Sequence, residues 1–166
     1  MDSDGGKEKE MKYIGIDVGK GGAVAVINGL LMNVYPTPVL NKEYDINRMY
    51  GLLKLCIMGD EEVFCVMEMA TAMPKQGSVS MFTFGKGYGI WLGLLSALEI
   101  KYQIVHPRTW TKHLFEGAPG KDKERGVLLA QRLFPIWQPR LKKDWLLADA
   151  ILLATYAQRI HSGKNP

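Results

Sequence analysis

Apolar residues in the first third of the chain fall in short runs separated by turn residues, the pattern of strands. Lys12–Val18 reads as a buried strand and Ala23–Ile27 as a second, with Gly19-Lys20-Gly21-Gly22 as the tight turn between them. The Asn28-Gly29 dipeptide, favoured in two-residue hairpin turns, leads to a third strand over Leu31–Tyr35. Beyond Pro36 and Pro38 the spacing lengthens. Ile46, Met49, Leu52, Leu53 and Ile57 recur at helical intervals behind Asp45, a natural N-cap, and predict a helix to about Met58. Val63–Met67 is a fourth strand. Ser80–Leu98 is apolar with glycines at 85, 87, 89 and 93, which predicts a helix packed closely on the sheet, and Lys101–Val105 is a fifth strand. Helices are then expected over Thr109–Phe115, over Asp122–Phe134 up to Pro135, and from Trp145 to Ile160, with Gly117–Gly120 a loop. Three hairpin strands followed by helix, strand, helix and strand define the expected class: α/β, a mixed five-stranded sheet flanked by helices.

At 166 residues and 47% hydrophobic content, the chain is sized for one core and one domain, expected over residues 12–162 behind a flexible polar leader, residues 1–11. No run is long and apolar enough for a membrane span, and the leader has no signal-peptide core, so an intracellular protein with no membrane partner is expected, in the cytoplasm or nucleoid, or in an organelle nucleoid if a transit peptide has been removed. Cys56 and Cys65 sit in apolar runs without metal-ligand spacing, as buried free thiols would. Charge divides unevenly. Residues 1–100 carry 9 Lys+Arg against 12 Asp+Glu, and residues 101–166 carry 12 against 5, so −3 and +7 sum to the overall +4. A basic half suits a polyanionic partner, although a solvated basic surface reads the same way.

Acidic residues at three places stand out against apolar surroundings. Asp17 sits in Ile14-Gly15-Ile16-Asp17-Val18-Gly19, where a carboxylate needs a cation or hydrogen-bond donors; capping of the Gly turn is the plain alternative. Glu68 closes the run Val63-Phe64-Cys65-Val66-Met67, and its plain alternative is a sheet-edge residue facing water. Asp144-Trp145-Leu146-Leu147-Ala148-Asp149-Ala150 opens the last helix, with Asp144 either cap or metal ligand and Asp149 projecting from an apolar helix. Convergence of such carboxylates would raise their pKa values unless a divalent cation held them, which points to Mg²⁺, with Mn²⁺ able to substitute.

The order Ile-Gly-Ile-Asp-x-Gly on the first strand, Glu on the fourth and Asp-Ala-Ile-Leu-Leu-Ala on the last helix resembles the RuvC branch of the RNase H-like superfamily. The segments Ala72-Met73-Pro74-Lys75-Gln76-Gly77-Ser78, Phe82 to Trp91, and His106-Pro107-Arg108-Thr109-Trp110 resemble its phage and organellar versions, so that the likeness runs from about Lys12 to Arg159. The resemblance implies a homodimeric Holliday-junction resolvase that nicks four-way DNA junctions symmetrically. Catalysis and metal binding would then fall to Asp17, Glu68, Asp149 and Asp144, the last at an unusual five-residue spacing. Acidic residues holding two ions suit phosphodiester hydrolysis.

DNA contacts are expected from Lys75, Gln76, Ser78, Lys86, Arg108 and Lys112, and from Phe82, with Phe84 and Tyr88 as further aromatic candidates, although aromatics at such spacing are more often core or dimer interface. His106 and His113 read as surface or structural residues. Asp-x-Gly followed by a Gly turn also resembles the phosphate loop of the actin, hexokinase and sugar-kinase superfamily, whose members normally use two such domains. A flap or general branched-DNA nuclease, and a junction-binding homologue without catalysis, complete the alternatives.

Overall fold

β1 (Met11–Asp17) occupies the middle of a five-stranded sheet and decides its plan. It pairs antiparallel with β2 (Ala23–Asn28), which pairs antiparallel with β3 (Leu31–Pro36). On its other side it runs parallel to β6 (Glu62–Glu68), which runs parallel to β7 (Lys101–Val105), giving the order β3-β2-β1-β6-β7. The structure, a computed structural model, describes residues 11–71, 77–116, 122–136 and 145–163. β1 begins at Met11, one residue inside the stretch expected to be leader.

Between β3 and the first helix lies a hairpin that the sequence did not suggest: β4 (Val39–Leu40) and β5 (Glu43–Tyr44). Its turn residues, Asn41 and Lys42, have φ values of 50° and 64°, the left-handed region that glycine usually fills in such turns. α1 (Ile46–Cys56) follows, capped by the Asp45 side chain accepting from the Arg48 N–H at 3.1 Å. The remaining helices are α2 (Ser78–Ala97), α3 (Pro107–Phe115), α4 (Asp122–Leu133) and α5 (Trp145–His161). None of the described helices is long and apolar enough to cross a membrane.

Strand alternation splits the core between the two faces of the sheet. Ile14, Ile16, Cys65 and Met67 point toward α1 and α2, meeting Met49, Leu53, Trp91 and Leu95. Tyr13, Ala25, Ile27 and Val66 point the other way, toward α3 and α5. α5 lies over β1 and β2 and is buried on every side from Ala150 to Ala157, as an apolar helix should be. Both cysteines are buried free thiols; burial pushes Cys56 up to about 11 and Cys65 higher still.

The glycines of α2 do not seat it on the sheet as expected. Only Gly87 meets a neighbour closely, the Tyr44 ring and hydroxyl, while Gly85, Gly89 and Gly93 face open space on the outer side of the helix. At the amino end of β1, buried Lys12 pairs with Glu61 at 3.1 Å and donates to the Met58 carbonyl, and Asn28 donates to Glu61. The opposite, carboxyl end of the parallel strands is where the acidic residues gather.

Candidate active site

Asp17 is the last residue of β1 and Glu68 the last of β6. By strand parity both side chains point to the α5 face, Asp17 with Tyr13 and Glu68 with Val66. β6 lies between β1 and β7, so Glu68 is not at a sheet edge. The turn after Asp17 depends on two glycines: Gly19 has φ 127°, and a Cβ on Gly22 would lie 2.1 Å from the Asp17 carbonyl oxygen. The Gly22 N–H is already satisfied by the Gly19 carbonyl at 3.1 Å, and among the described residues the Asp17 carboxylate caps no turn amide.

The third carboxylate arrives on the helix packed against that same face. A Cβ on Gly15 would lie 2.2 Å from both the Ala150 oxygen and the Ala154 nitrogen, so the backbone of α5 rests directly on β1. Three small residues permit that approach, and it carries Asp149, in the second turn of α5, toward Asp17. One Asp149 oxygen also faces α4, where a Cβ on Gly126 would stand 3.7 Å away.

Electrostatics register the convergence. The Asp17 carboxyl is held well above its ordinary value, first by burial, then by the charge of Asp149 and then by that of Glu68. Burial also raises Glu68, opposed by a hydrogen bond from Trp110 and by nearby His106. The Trp110 indole N–H donates to Glu68 Oε2 at 2.7 Å, and the ring, 3% exposed, is fixed by packing. His106 caps α3 by accepting from the Arg108 N–H at 3.1 Å, a structural role as expected, and it places its ring beside Glu68.

Partly buried carboxylates at one end of the sheet, Asp17 among them raised by burial and then by its acidic neighbours, are the donor set that a hard divalent cation suits. The kind of donor fits, and so does the sign of the charge. Among the described residues, however, no three His, Cys, Asp or Glu side chains stand within common ligating reach. Asp17, Glu68 and Asp149 are coupled by charge rather than joined around one point. Asp144 lies outside the described residues, as do Lys75 and Gln76.

The other expected DNA contacts divide. Ser78 opens α2 and is exposed, and Phe82 is 74% exposed beside Val79 and Met81, an apolar patch on the same helix. Phe84 and Tyr88 turn inward and pack on the α1–α2 core. Lys86 is ion-paired with Glu43 at 2.8 Å, an arrangement that the sequence did not reveal. Arg108 and Lys112 line a cavity of about 490 Å³ with Thr111, Phe115, Glu116 and Arg125, so α3 turns Trp110 toward Glu68 and its cations outward. The Arg125 guanidinium sits 5.8 Å over the Phe115 ring, which in turn packs edge-on against Trp110.

A mixed sheet of order β3-β2-β1-β6-β7 with helices on both faces, and acidic residues at the ends of β1 and β6 and on the final helix, has the RNase H-like architecture. The structure superposes on Thermus thermophilus RuvC in complex with Holliday junction substrate, with a TM-score of 0.66 and 17% identity over 93% of this chain and 97% of that one. A second Thermus thermophilus RuvC structure gives a TM-score of 0.61 and 18% identity over 92% and 97%. The fold is therefore that of RuvC. In sequence, the chain is 36% identical over 94 residues to Holliday junction resolvase MOC1, chloroplastic, from Chlamydomonas reinhardtii. That match takes in 55% of this chain and 10% of the Chlamydomonas protein. No family model matches.

Proposed function

We propose that this protein is a Holliday-junction resolvase, a Mg²⁺-dependent endodeoxyribonuclease that makes symmetrical nicks in four-way DNA junctions. The observation that carries the reading is the placement of Asp17, Glu68 and Asp149, from three distant segments, at the carboxyl end of a RuvC-type sheet, where burial and then the charges of Asp149 and Glu68 raise Asp17. The sequence likeness to a named resolvase supports the substrate. A bound Mg²⁺ supplies Lewis acidity and an activated water, and Mn²⁺ would serve the same donors.

The chain's own groups do the rest. Asp17, Glu68 and Asp149 would hold the metal, joined by Asp144. Trp110 takes one oxygen of Glu68 and so fixes which oxygen remains for the site. Ser78 and Phe82 on α2, and Arg108 and Lys112 on α3, stand exposed on the helices that flank Glu68, where phosphate and base contacts are needed. A homodimer is supported by the exposed Val79, Met81 and Phe82 and by the open side of α2 at Gly85, Gly89 and Gly93.

Incubation with a synthetic four-way junction, a linear duplex and a flap, in Mg²⁺ and in EDTA, tests the reading. Paired nicks on the junction alone, abolished by EDTA, are expected; equal cutting of the flap would make the protein a general branched-DNA nuclease. A second reading, a junction-binding homologue without catalysis, draws on the lack of three described side chains within common ligating reach. Tight binding without cleavage would establish it.

Two further outcomes are expected. Trp110→Phe should raise the Mg²⁺ concentration for half-maximal cleavage roughly tenfold, with junction binding in EDTA unchanged. An unaltered metal requirement would remove Trp110 from the site. Arg108→Ala and Lys112→Ala should each weaken junction binding and lower its dependence on salt by about one counterion. A wild-type slope in either variant would place that side chain off the phosphate path.

A further inference from the structure

The Lys86 ammonium is held by a carboxylate where the sequence had suggested a phosphate. Its Nζ lies 2.8 Å from Glu43 Oε2, while Lys20 Nζ stands 3.6 Å from Glu43 Oε1. The three residues come from three elements: Lys20 from the Gly turn that follows Asp17, Glu43 from the β4–β5 hairpin, and Lys86 from α2. Lys20 is further fixed by donating to the Lys42 carbonyl and by lying 5.6 Å over the Tyr44 ring. The chain just before the hairpin is tied to the same Gly turn, since the Thr37 N–H donates to the Gly22 carbonyl at 2.9 Å.

The hairpin that presents Glu43 is short, and one of its turn residues, Lys42, sits in a region that L side chains seldom adopt. Both residues of its turn are non-glycine in the left-handed region, and each of its strands is two residues long. Such a turn persists where the surroundings hold it, and the holding contacts include buried Tyr44 packed against Gly87, the Asp45 N–H donating to the Pro38 carbonyl at 3.0 Å, and the ion pairs of Lys20 and Lys86. All three side chains remain open to solvent, at 30%, 62% and 42% exposure for Lys20, Glu43 and Lys86, so the pairing is of the kind that exchanges readily.

Two ammonium groups, one on each oxygen of a singly charged anion, are equally suited to the two free oxygens of a phosphodiester. We propose that Lys20 and Lys86 form a holding site for one backbone phosphate of DNA, and that the Glu43 carboxylate occupies it in the free protein as a stand-in for that phosphate. The proposal rests on the reading that the chain binds DNA, and it deepens that reading. Lys20 lies in the turn that leaves Asp17, so the phosphate held there would be at the same end of the sheet as the acidic residues. DNA must displace Glu43 to take the site, which penalises weak, nonspecific encounters.

The test is the binding of a fluorescently labelled four-way junction in EDTA, followed by anisotropy over a series of salt concentrations. Glu43→Gln is compared with Glu99→Gln, which makes the same change of charge beyond the far end of α2. Glu43→Gln is expected to lower Kd roughly three- to tenfold relative to Glu99→Gln, with an unchanged salt slope. Lys20→Ala and Lys86→Ala are expected to weaken binding and reduce the slope by about one each, and Lys86→Ala should cancel most of the gain from Glu43→Gln. Equal affinity of Glu43→Gln and Glu99→Gln, or a gain that survives Lys86→Ala, would overturn the proposal. Failure of the wild-type protein to bind junction, duplex or single-stranded DNA would instead overturn the DNA reading itself.

Discussion

Asp17→Asn is expected to abolish Mg²⁺-dependent junction cleavage, by a factor on the order of 10²–10³ or more, while junction binding is retained or tightened. The substitution keeps the shape of the side chain and removes the charge that both Asp149 and Glu68 oppose. It also takes one negative charge from the place a phosphate must approach. Loss of binding in a folded Asp17→Asn protein would contradict a metal-holding role.

The same residue sets a pH dependence that can be followed without DNA. Asp17 and Glu68 are both raised, so the metal-free folded chain binds their protons more tightly than the unfolded chain does. Their contribution is most favourable below the ordinary carboxyl range, and it declines as pH climbs through the raised folded values. Mg²⁺ should therefore raise the melting temperature more at about pH 8 than at about pH 5, where ordinary carboxyls are only beginning to protonate. In Asp17→Asn the alkaline decline should shrink. An Mg²⁺ effect of equal size at both pH values in the wild type would contradict metal binding by these carboxylates.

Gly15→Val is expected to be the most damaging change in the core. Even the first added carbon would lie 2.2 Å from two backbone atoms of α5, and backbone atoms cannot swing aside as a side chain can. The helix must lift from β1, at a cost of about 3 kcal/mol or more, which for a domain of this size lowers the melting temperature by roughly 6–12 °C. Lifting α5 also withdraws Asp149 from Asp17, so whatever folds should cleave poorly even well below its melting point. Wild-type melting in Gly15→Val would mean that α5 does not rest on β1 as described.

Much of this arrangement was legible in the sequence because it follows local periodicity. Turn glycines, two prolines and runs of alternating or helical apolar spacing located the five main strands and five helices to within two residues at nearly every end. The β4–β5 hairpin was missed because its strands are two residues long and its turn lacks glycine. The outward-facing glycines of α2 were misread as sheet-facing, since an apolar helix of small residues gives no preferred side in one dimension.

The acidic residues were visible individually as charges in apolar runs, but their meeting was a matter of topology. Asp17 and Glu68 approach only because β6 lies parallel beside β1, a pairing that no local signal encodes. Trp110 is farther still from legibility. Its bond to Glu68 spans 42 residues and needs β7 to return beside β6 before α3 begins. Lys86 shows the converse: its residue type suggested a phosphate contact, and only the folded hairpin disclosed Glu43 beside it.

If the chain is the nuclease proposed, the seating of α5 on β1 also bears on when it could first cut. Two of the carboxylates belong to the sheet, which the first 105 residues complete, while Asp149 rides on the last helix to be synthesised among those described. On the proposed reading, the acid set is incomplete until α5 has been made and docks, so cleavage would become possible only with that last step. On the same reading α5 would act as a safety catch: a partial detachment that leaves the sheet intact would withdraw Asp149 and disarm the site.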